Sequence, residues 1–358
     1  MVRAAVLMRQ GGPLEVREVT LADPGPGQVR VRVAAAGVCH SDLSLANGTL
    51  AQEVPAVLGH EGAGEVIAVG PDVDRVSVGD RVVLNWAPAC RECWFCENDE
   101  PYLCVHAEER AREPYGTLDD GTPIYPGLGT GAFAEETVVS QGAVVRLPDD
   151  IPLDQAAVLG CAVLTGAGAV LNTAKVQAGQ SVVVVGLGGV GLSALQAAKA
   201  AGAGPIIGID TAEEKAELAL AHGATDFVPS GDTAARAVRK LTGGRGADHA
   251  FDCVGIPATV RMSWSATRRG GEVTVVGIGG KSKLVEFNTL ELYWFARTLR
   301  GCVYGSSDPD VDVPRLVDLV RDGRLDLAAL TTGSTDLAGV NDAFETLGQG
   351  GRTILRFD

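Results

Sequence analysis

The chain has 358 residues, of which 46% are hydrophobic and 21% charged, the balance of a globular protein of two or three domains whose core needs no disulfide staple. Its 45 acidic residues against 30 Lys and Arg leave a formal charge of −15, which argues against a nucleic-acid partner or an anionic membrane surface. No apolar run reaches the ~18 residues of a membrane span and no leader pattern opens the chain, so a cytoplasmic protein is expected.

In chain order, short apolar strands at 29–33, 64–69 and Arg81–Leu84 fall between Gly/Pro turns and predict a β-rich, partly open barrel through about residue 150. The same half holds Cys39-His40-Ser41-Asp42, Gly59-His60-Glu61 and the run Cys90-x2-Cys93-x2-Cys96-x7-Cys104. Clustered cysteines in a long chain without an export signal point to a metal rather than to disulfides. Four thiolates at short spacing suit the tetrahedral preference of zinc. The rival is an iron–sulfur cluster, but the bacterial ferredoxin run closes after three residues and continues with Pro. Here the last gap is seven residues and Val105 follows. A closed four-thiolate site stabilises a fold and does no chemistry. Cys39, His60 and Cys161 are scattered. Two thiolates, an imidazole and a water would make an open catalytic zinc site, although spacing alone does not group them.

Past residue 180 the pattern changes. A β-branched strand over 181–185 runs into Gly186-Leu187-Gly188-Gly189-Val190-Gly191 and then an Ala/Leu-rich helix. In this context Gly186 permits the tight turn, Gly188 lets backbone approach a pyrophosphate, Gly191 packs helix against strand, and the helix N-terminus receives phosphate. A second strand over 206–209 ends in Asp210, placed to accept the ribose hydroxyls and repel a 2′-phosphate, which favours NAD over NADP. A helix over 213–222 closed by Gly223, a strand over 226–228 and a helix over Ala234–Leu241 follow. Strands over 247–254, 272–276 and 300–304 and a helix over 259–267 complete the alternation. The alternation predicts a doubly wound parallel sheet. Cys253 and Cys302 read as small buried hydrophobes.

Together these motifs, with Leu159-Gly160-Cys161 and the terminal Arg352-Thr353-Ile354-Leu355, resemble the zinc-dependent medium-chain alcohol dehydrogenase family over essentially the whole chain. Asn85-Trp86, Gly127-Leu128-Gly129 and Leu159-Gly160-Cys161 look closest to bacterial enzymes for primary or aromatic alcohols and to thiol-dependent formaldehyde dehydrogenases. The resemblance implies an α/β protein: a β-rich GroES-like catalytic domain over 1–162, completed by 304–358, and a Rossmann coenzyme domain over 163–303. It implies two zinc ions per chain. One is catalytic, on Cys39, His60 and Cys161 with Glu61 close behind, and the other structural, on Cys90, Cys93, Cys96 and Cys104. Asp42 would orient His60, and Ser41 would bind the alcohol oxygen and start a proton relay. His40 and Arg352 would contact the pyrophosphate, held by Gly186, Gly188, Gly189, Val190 and Gly191. Asp210 and Lys215 would hold the adenosine ribose, and Thr165 and Val190 would press on the nicotinamide. Trp86, Leu128, Ile278 and Val303 would line the substrate pocket, Ile278 also facing the cofactor. Where many members carry a relay histidine this chain has Ser44.

The implied function is hydride transfer between NAD and a primary aromatic or medium-chain alcohol or its aldehyde. An alternative is oxidation of a formaldehyde adduct of glutathione or mycothiol, with His106, Arg110, Arg112 or Lys281 gripping the thiol's carboxylates. A non-catalytic zinc- and NAD-binding protein is the reading from another class. The long 105–126 segment resembles the homodimeric branch of the family.

Overall fold

Val182–Val185 is buried on both faces, as an unalternated β-branched run demands, and lies at the centre of a six-stranded sheet in the computed structural model, which describes residues 1–357. The strands run Asp226–Pro229, Ile206–Asp210, Val182–Val185, Ala247–Asp252, Thr267–Val275 and Thr298–Gly301, every pair parallel. Taken along the chain this is the 3-2-1-4-5-6 order of a doubly wound fold, whose ligand crevice opens at the carboxyl ends where the order reverses. Alternate side chains serve opposite faces. Val182 and Val184 pack with Leu192 and Leu195 of the helix Gly189–Ala200, and Val183 and Val185 with Trp264 of the helix Pro257–Ala266.

The first half is more closed than its sequence suggests. Val2–Leu7, Leu14–Leu21, Gly116–Thr117, Pro123–Pro126 and Ala56–Val57 form a closed barrel rather than a partly open one. Two of these strands are only two residues long and leave no periodicity to read. Beside the barrel lies a seven-stranded sheet ordered Val144–Arg146, Arg81–Leu84, Glu61–Val69, Gln28–Gly37, Arg352–Arg356 and Thr331–Thr335, with Glu136–Ser140 also paired to Gln28–Gly37. The last strand thus returns to the first half, Ile354 lying opposite Gly37.

Two expected elements differ. The helix over 213–222 is a tight turn, Glu213–Lys215, followed by Ala216–Ala221, because Asp210 draws Lys215 and the Ala212 amide back to the strand end. The strand over 300–304 ends at Gly301, and Tyr304 stands in a left-handed turn. No single helix among the described residues is long and apolar enough to cross a membrane.

Candidate active site

Strands Gln28–Gly37 and Glu61–Val69 run antiparallel and finish with Gly37 opposite Glu61. A Cβ on Gly37 would lie 2.3 Å from Glu61 Oε2, so only glycine lets that carboxyl fold across the strand end. Cys39 follows two residues later, at the start of the helix His40–Ala46, and His60 directly precedes Glu61. The fully buried Asp42 joins these two turns. Its Oδ2 accepts the Cys39 amide at 3.1 Å, and its Oδ1 accepts the Gly59 amide at 3.1 Å and meets His60 Nδ1 at 2.9 Å. His60 Nε2 is left buried without a hydrogen-bond partner. Cys161 arrives from the turn Ala157–Gly160, and ligand atoms of Cys39, His60, Glu61 and Cys161 lie within 4.8 Å of one another. A soft set of two thiols and an imidazole with an orphaned nitrogen fits zinc, the acceptor of that nitrogen's lone pair.

The charges in this pocket are interlocked. The hydrogen bond from Cys161 draws the Cys39 thiol well below its usual range, with Arg352 and His60 helping against the cost of burial. The same bond and burial push Cys161 up. Burial disfavours charge on His60, but Asp42 and Cys39 outweigh it and hold the imidazole well above its ordinary value. Burial raises Glu61 although Arg352 opposes it. Arg352 Nη2 lies 2.7 Å from Glu61 Oε1 and 3.3 Å from Cys39 Sγ. Its guanidinium thus serves the metal-ligand cluster, because a buried carboxylate and thiolate need a counter-charge, and it also lies against the dinucleotide loop, where a Cβ on Gly189 would come within 3.0 Å of it. Gly188 bridges to Gly351, which brings the dinucleotide loop against this segment.

A cleft of about 780 Å³ opens above the cluster. Its walls hold Cys39, His60 and Cys161 together with His40, Ser41, Ser44 and Thr165, the loop residues Gly186, Gly188, Gly189, Val190 and Gly191, and Asp210, Lys215 and Arg352. Trp86, Leu128, Ile278 and Val303 also face it, whereas Asp42 and Glu61 stand behind the surface. In the loop, Gly186 has φ +88° and a Cβ on Gly191 would lie 1.9 Å from the Gly186 oxygen. A Cβ on Gly188 would meet nothing within 4 Å, an open cradle beside the start of the helix Gly189–Ala200 that fits a dinucleotide pyrophosphate. Asp210 accepts the Leu187 amide at 2.8 Å and Lys215 Nζ at 2.9 Å. Burial works against the Asp210 charge, yet these bonds hold its carboxyl below the usual range.

The second cluster is local. Ligand atoms of Cys90, Cys93, Cys96 and Cys104 also lie within 4.8 Å of one another, and the Cys90 and Cys93 amides donate to Cys104 and Cys90 sulfurs at 3.3 Å. Backbone amides of Cys96 and Val105 pull the Cys93 thiol down to about 6, while burial pushes Cys96 up to about 12. Arg91 fastens this lobe to the helix Pro309–Arg321 through Asp308, at 2.6 and 2.7 Å.

Of the basic residues named for a thiol cosubstrate, only Arg112 lines the cleft. Arg110 is paired with Glu113 and His106 with Glu109. Among the cleft residues that escaped the sequence reading of the site are Cys253, Cys302 and Tyr304. Cys253 and Cys302 both reach its wall, Cys302 with its sulfur 3.2 Å from Thr173 Oγ1. Tyr304 does so from a left-handed backbone, which no pattern in the sequence signals.

The comparisons agree with this geometry. The family model described as an alcohol dehydrogenase GroES-like domain matches residues 25–149, and that described as a zinc-binding dehydrogenase matches 189–322. The chain is 35% identical over 364 residues to an S-(hydroxymethyl)glutathione dehydrogenase of Paracoccus denitrificans, covering 97% of each. It is 37% identical over 374 residues to a class-3 alcohol dehydrogenase of Cereibacter sphaeroides, covering 99% of each. Among solved structures, benzyl alcohol dehydrogenase from Acinetobacter calcoaceticus superposes with a TM-score of 0.92 at 31% identity, over 100% of this chain and 99% of that one. Relatives matched end to end, with a buried thiol–imidazole cluster at the mouth of a dinucleotide crevice, place the chain in the zinc-dependent medium-chain alcohol dehydrogenase family, oxidoreductases that work with zinc and a nicotinamide dinucleotide.

Proposed function

We propose that the protein oxidises primary alcohols, aromatic or medium-chain, to aldehydes with NAD. The carrying observation is the orphaned His60 Nε2 between two thiols on the floor of a cleft whose other wall is the glycine loop. Bound on Cys39, His60 and Cys161, zinc supplies a Lewis acid that acidifies an alcohol hydroxyl, and NAD supplies the hydride acceptor. Asp42 keeps the His60 proton on Nδ1 and so leaves Nε2 free for ligation. Ser41 takes the alcohol proton. Ser44, three residues further along the same short helix and on the same wall, passes it to water in place of the missing histidine. Glu61 and Arg352 balance the buried charge behind the thiols. His40, Arg352 and the loop from Gly186 to Gly191 take the pyrophosphate, Asp210 and Lys215 the adenosine ribose, and Thr165, Val190 and Ile278 the nicotinamide. The Asp210 carboxylate favours NAD over its 2′-phosphorylated form. Trp86, Leu128, Ile278 and Val303 give the apolar wall.

We assign the catalytic unit to residues 1–162 with 304–358 and the coenzyme unit to 163–303. The support is that Thr331–Thr335 and Arg352–Arg356 share a sheet with Gln28–Gly37, whereas the parallel sheet draws only on strands from Val182–Val185 to Thr298–Gly301. A homodimer is proposed through that last strand, an exposed sheet edge flanked by apolar side chains such as Leu284, Leu290, Tyr293 and Trp294. Light scattering should give twice the 36.9 kDa chain mass, and a mass near four chains overturns the dimer. Eight unpaired cysteines among the described residues suit a reducing, cytoplasmic compartment.

The deciding assay is NADH formation from benzyl alcohol and hexanol beside formaldehyde with and without glutathione or mycothiol. Turnover of the free alcohols, and none of formaldehyde, supports the main reading. The second reading, a thiol-dependent formaldehyde dehydrogenase, is favoured by the name of the Paracoccus relative and by Arg112 on the cleft wall. A large thiol-dependent rate establishes it. A non-catalytic protein would hold one zinc ion per chain, whereas both enzyme readings require two.

A further inference from the structure

After Thr298–Gly301 the chain turns back towards the metal cluster through three successive left-handed residues, Tyr304 at φ +51°, Gly305 at +69° and Ser306 at +47°. Gly305 is compelled, since a Cβ there would lie 2.2 Å from the Leu164 oxygen. Tyr304 is not compelled by the backbone. Glycine would take this conformation freely, and a bulky residue takes it at a cost that its surroundings must offset.

Its side chain accounts for that cost. Tyr304 is 3% exposed, and its hydroxyl donates to the carbonyl oxygen of Gly160, the residue before Cys161. Its ring lies against Trp86 with centroids 4.7 Å apart at 53°. Trp86 in turn meets His60 edge-on, with centroids 6.4 Å apart at 86°. Tyr304, Trp86 and His60 therefore form a continuous aromatic row from the sheet-side turn to the metal-ligand cluster, and all three face the cleft. Tyr304 is not among the metal-ligand residues and lies outside the glycine loop assigned to the pyrophosphate.

We propose that Tyr304 is a specificity-determining residue of the alcohol site. Tethered to Gly160 and backing Trp86, its ring is a fixed wall that limits the bulk of the alcohol able to reach Cys39, His60 and Cys161. The proposal rests on the alcohol-oxidation reading of the cleft. Removing the ring takes away the backing of Trp86 and opens a phenol-sized space beside Cys161. Removing only the hydroxyl keeps the wall and loosens its tether.

The test compares Tyr304→Gly and Tyr304→Phe with the parent enzyme on hexanol, benzyl alcohol and 2,2-diphenylethanol. Tyr304→Gly is expected to shift kcat/KM for the bulky alcohol relative to hexanol by ~10-fold or more, chiefly through KM, the scale on which apolar pocket contacts discriminate. Tyr304→Phe is expected to lower kcat for all three together and leave their ratio in place. If Tyr304→Gly does not fold, Tyr304→Asn replaces it, since Asn tolerates the left-handed region and is far smaller. A second readout needs no turnover. Binding of 1,10-phenanthroline, a flat aromatic chelator, to the zinc-loaded chain is followed by its ultraviolet band, and Tyr304→Gly should tighten it ~10-fold by the same reasoning. Tighter chelator binding without oxidation of any alcohol sinks the alcohol reading and leaves the wall standing. Oxidised alcohols with an unchanged ratio and unchanged chelator affinity, in a folded variant holding two zinc ions, overturn the wall.

Discussion

Cys90, Cys93, Cys96 and Cys104 sit in one lobe at the protein surface and receive hydrogen bonds from their own backbone amides. Cys39, His60 and Cys161 come from three separate segments and are buried, held in place by Asp42, Glu61 and Arg352. The lobe carries its own ligand geometry, and Arg91 anchors it to the rest of the molecule through Asp308 and Asp310. The buried cluster has no geometry until the strand ends, the helix His40–Ala46 and the last strand have all docked. A closed local site can only stabilise, whereas a site assembled at a cleft keeps a side open for substrate.

Mutations should divide along the same line. Cys39→Ala and His60→Ala are expected to lower turnover by roughly a thousandfold or more, because the Lewis acid is lost, with melting temperatures near that of the parent. Cys90→Ala should instead cost one zinc ion per chain by elemental analysis and the largest fall in melting temperature. Equal melting losses in all three would break the division of labour. A smaller effect sharpens it. Asp42→Asn should weaken zinc at the buried site by about 10–100-fold in chelator competition and leave the lobe's zinc unaffected.

Within the cofactor wall, Asp210→Asn should lower the preference for NAD over NADP by roughly tenfold, measured as the ratio of kcat/KM values, since the carboxylate that repels a 2′-phosphate is gone. An unchanged ratio would remove Asp210 from cofactor selection. The smallest effect concerns the anchor. Arg91→Ala should lower the melting temperature by only a few degrees at pH 7, a partly exposed ion pair contributing ~0.2–1 kcal/mol. Burial raises the Asp308 carboxyl, but Arg91 outweighs it and holds the pKa below the usual range. The pair's contribution is therefore present above about pH 4 and is lost as the pH falls through the depressed value. The melting gap between Arg91→Ala and the parent should close in that window, and a gap that persists there would mean that Arg91 acts through packing.

Legibility followed sequence distance. The x2-x2-x7 cysteine run, the strand–glycine–helix loop and the four-valine strand are local, and the residues that make each element also neighbour one another in the fold. The closed barrel was not legible, because its two-residue strands Ala56–Val57 and Gly116–Thr117 carry no alternation. The pairing of Arg352 with Glu61 was not legible either, since the two stand 291 residues apart along the chain. Cys302 and Tyr304 were read as buried residue and strand end, since a side chain's facing wall is set by where the chain turns back.

By itself the sequence determined the thiol lobe, the parallel sheet, the dinucleotide loop and the family, all carried by short-range spacing, hydrophobic periodicity and residue type. The tertiary structure alone decided that Asp42 also holds the Cys39 and Gly59 amides, that Arg352 neutralises Glu61 and Cys39, and that the Tyr304 ring lies against Trp86 at the cleft. The physical reason is that these are contacts between segments remote in the chain. Their partners are chosen by the register of docked strands and by the need to pair charge where water is excluded, and neither leaves a period in the order of residues.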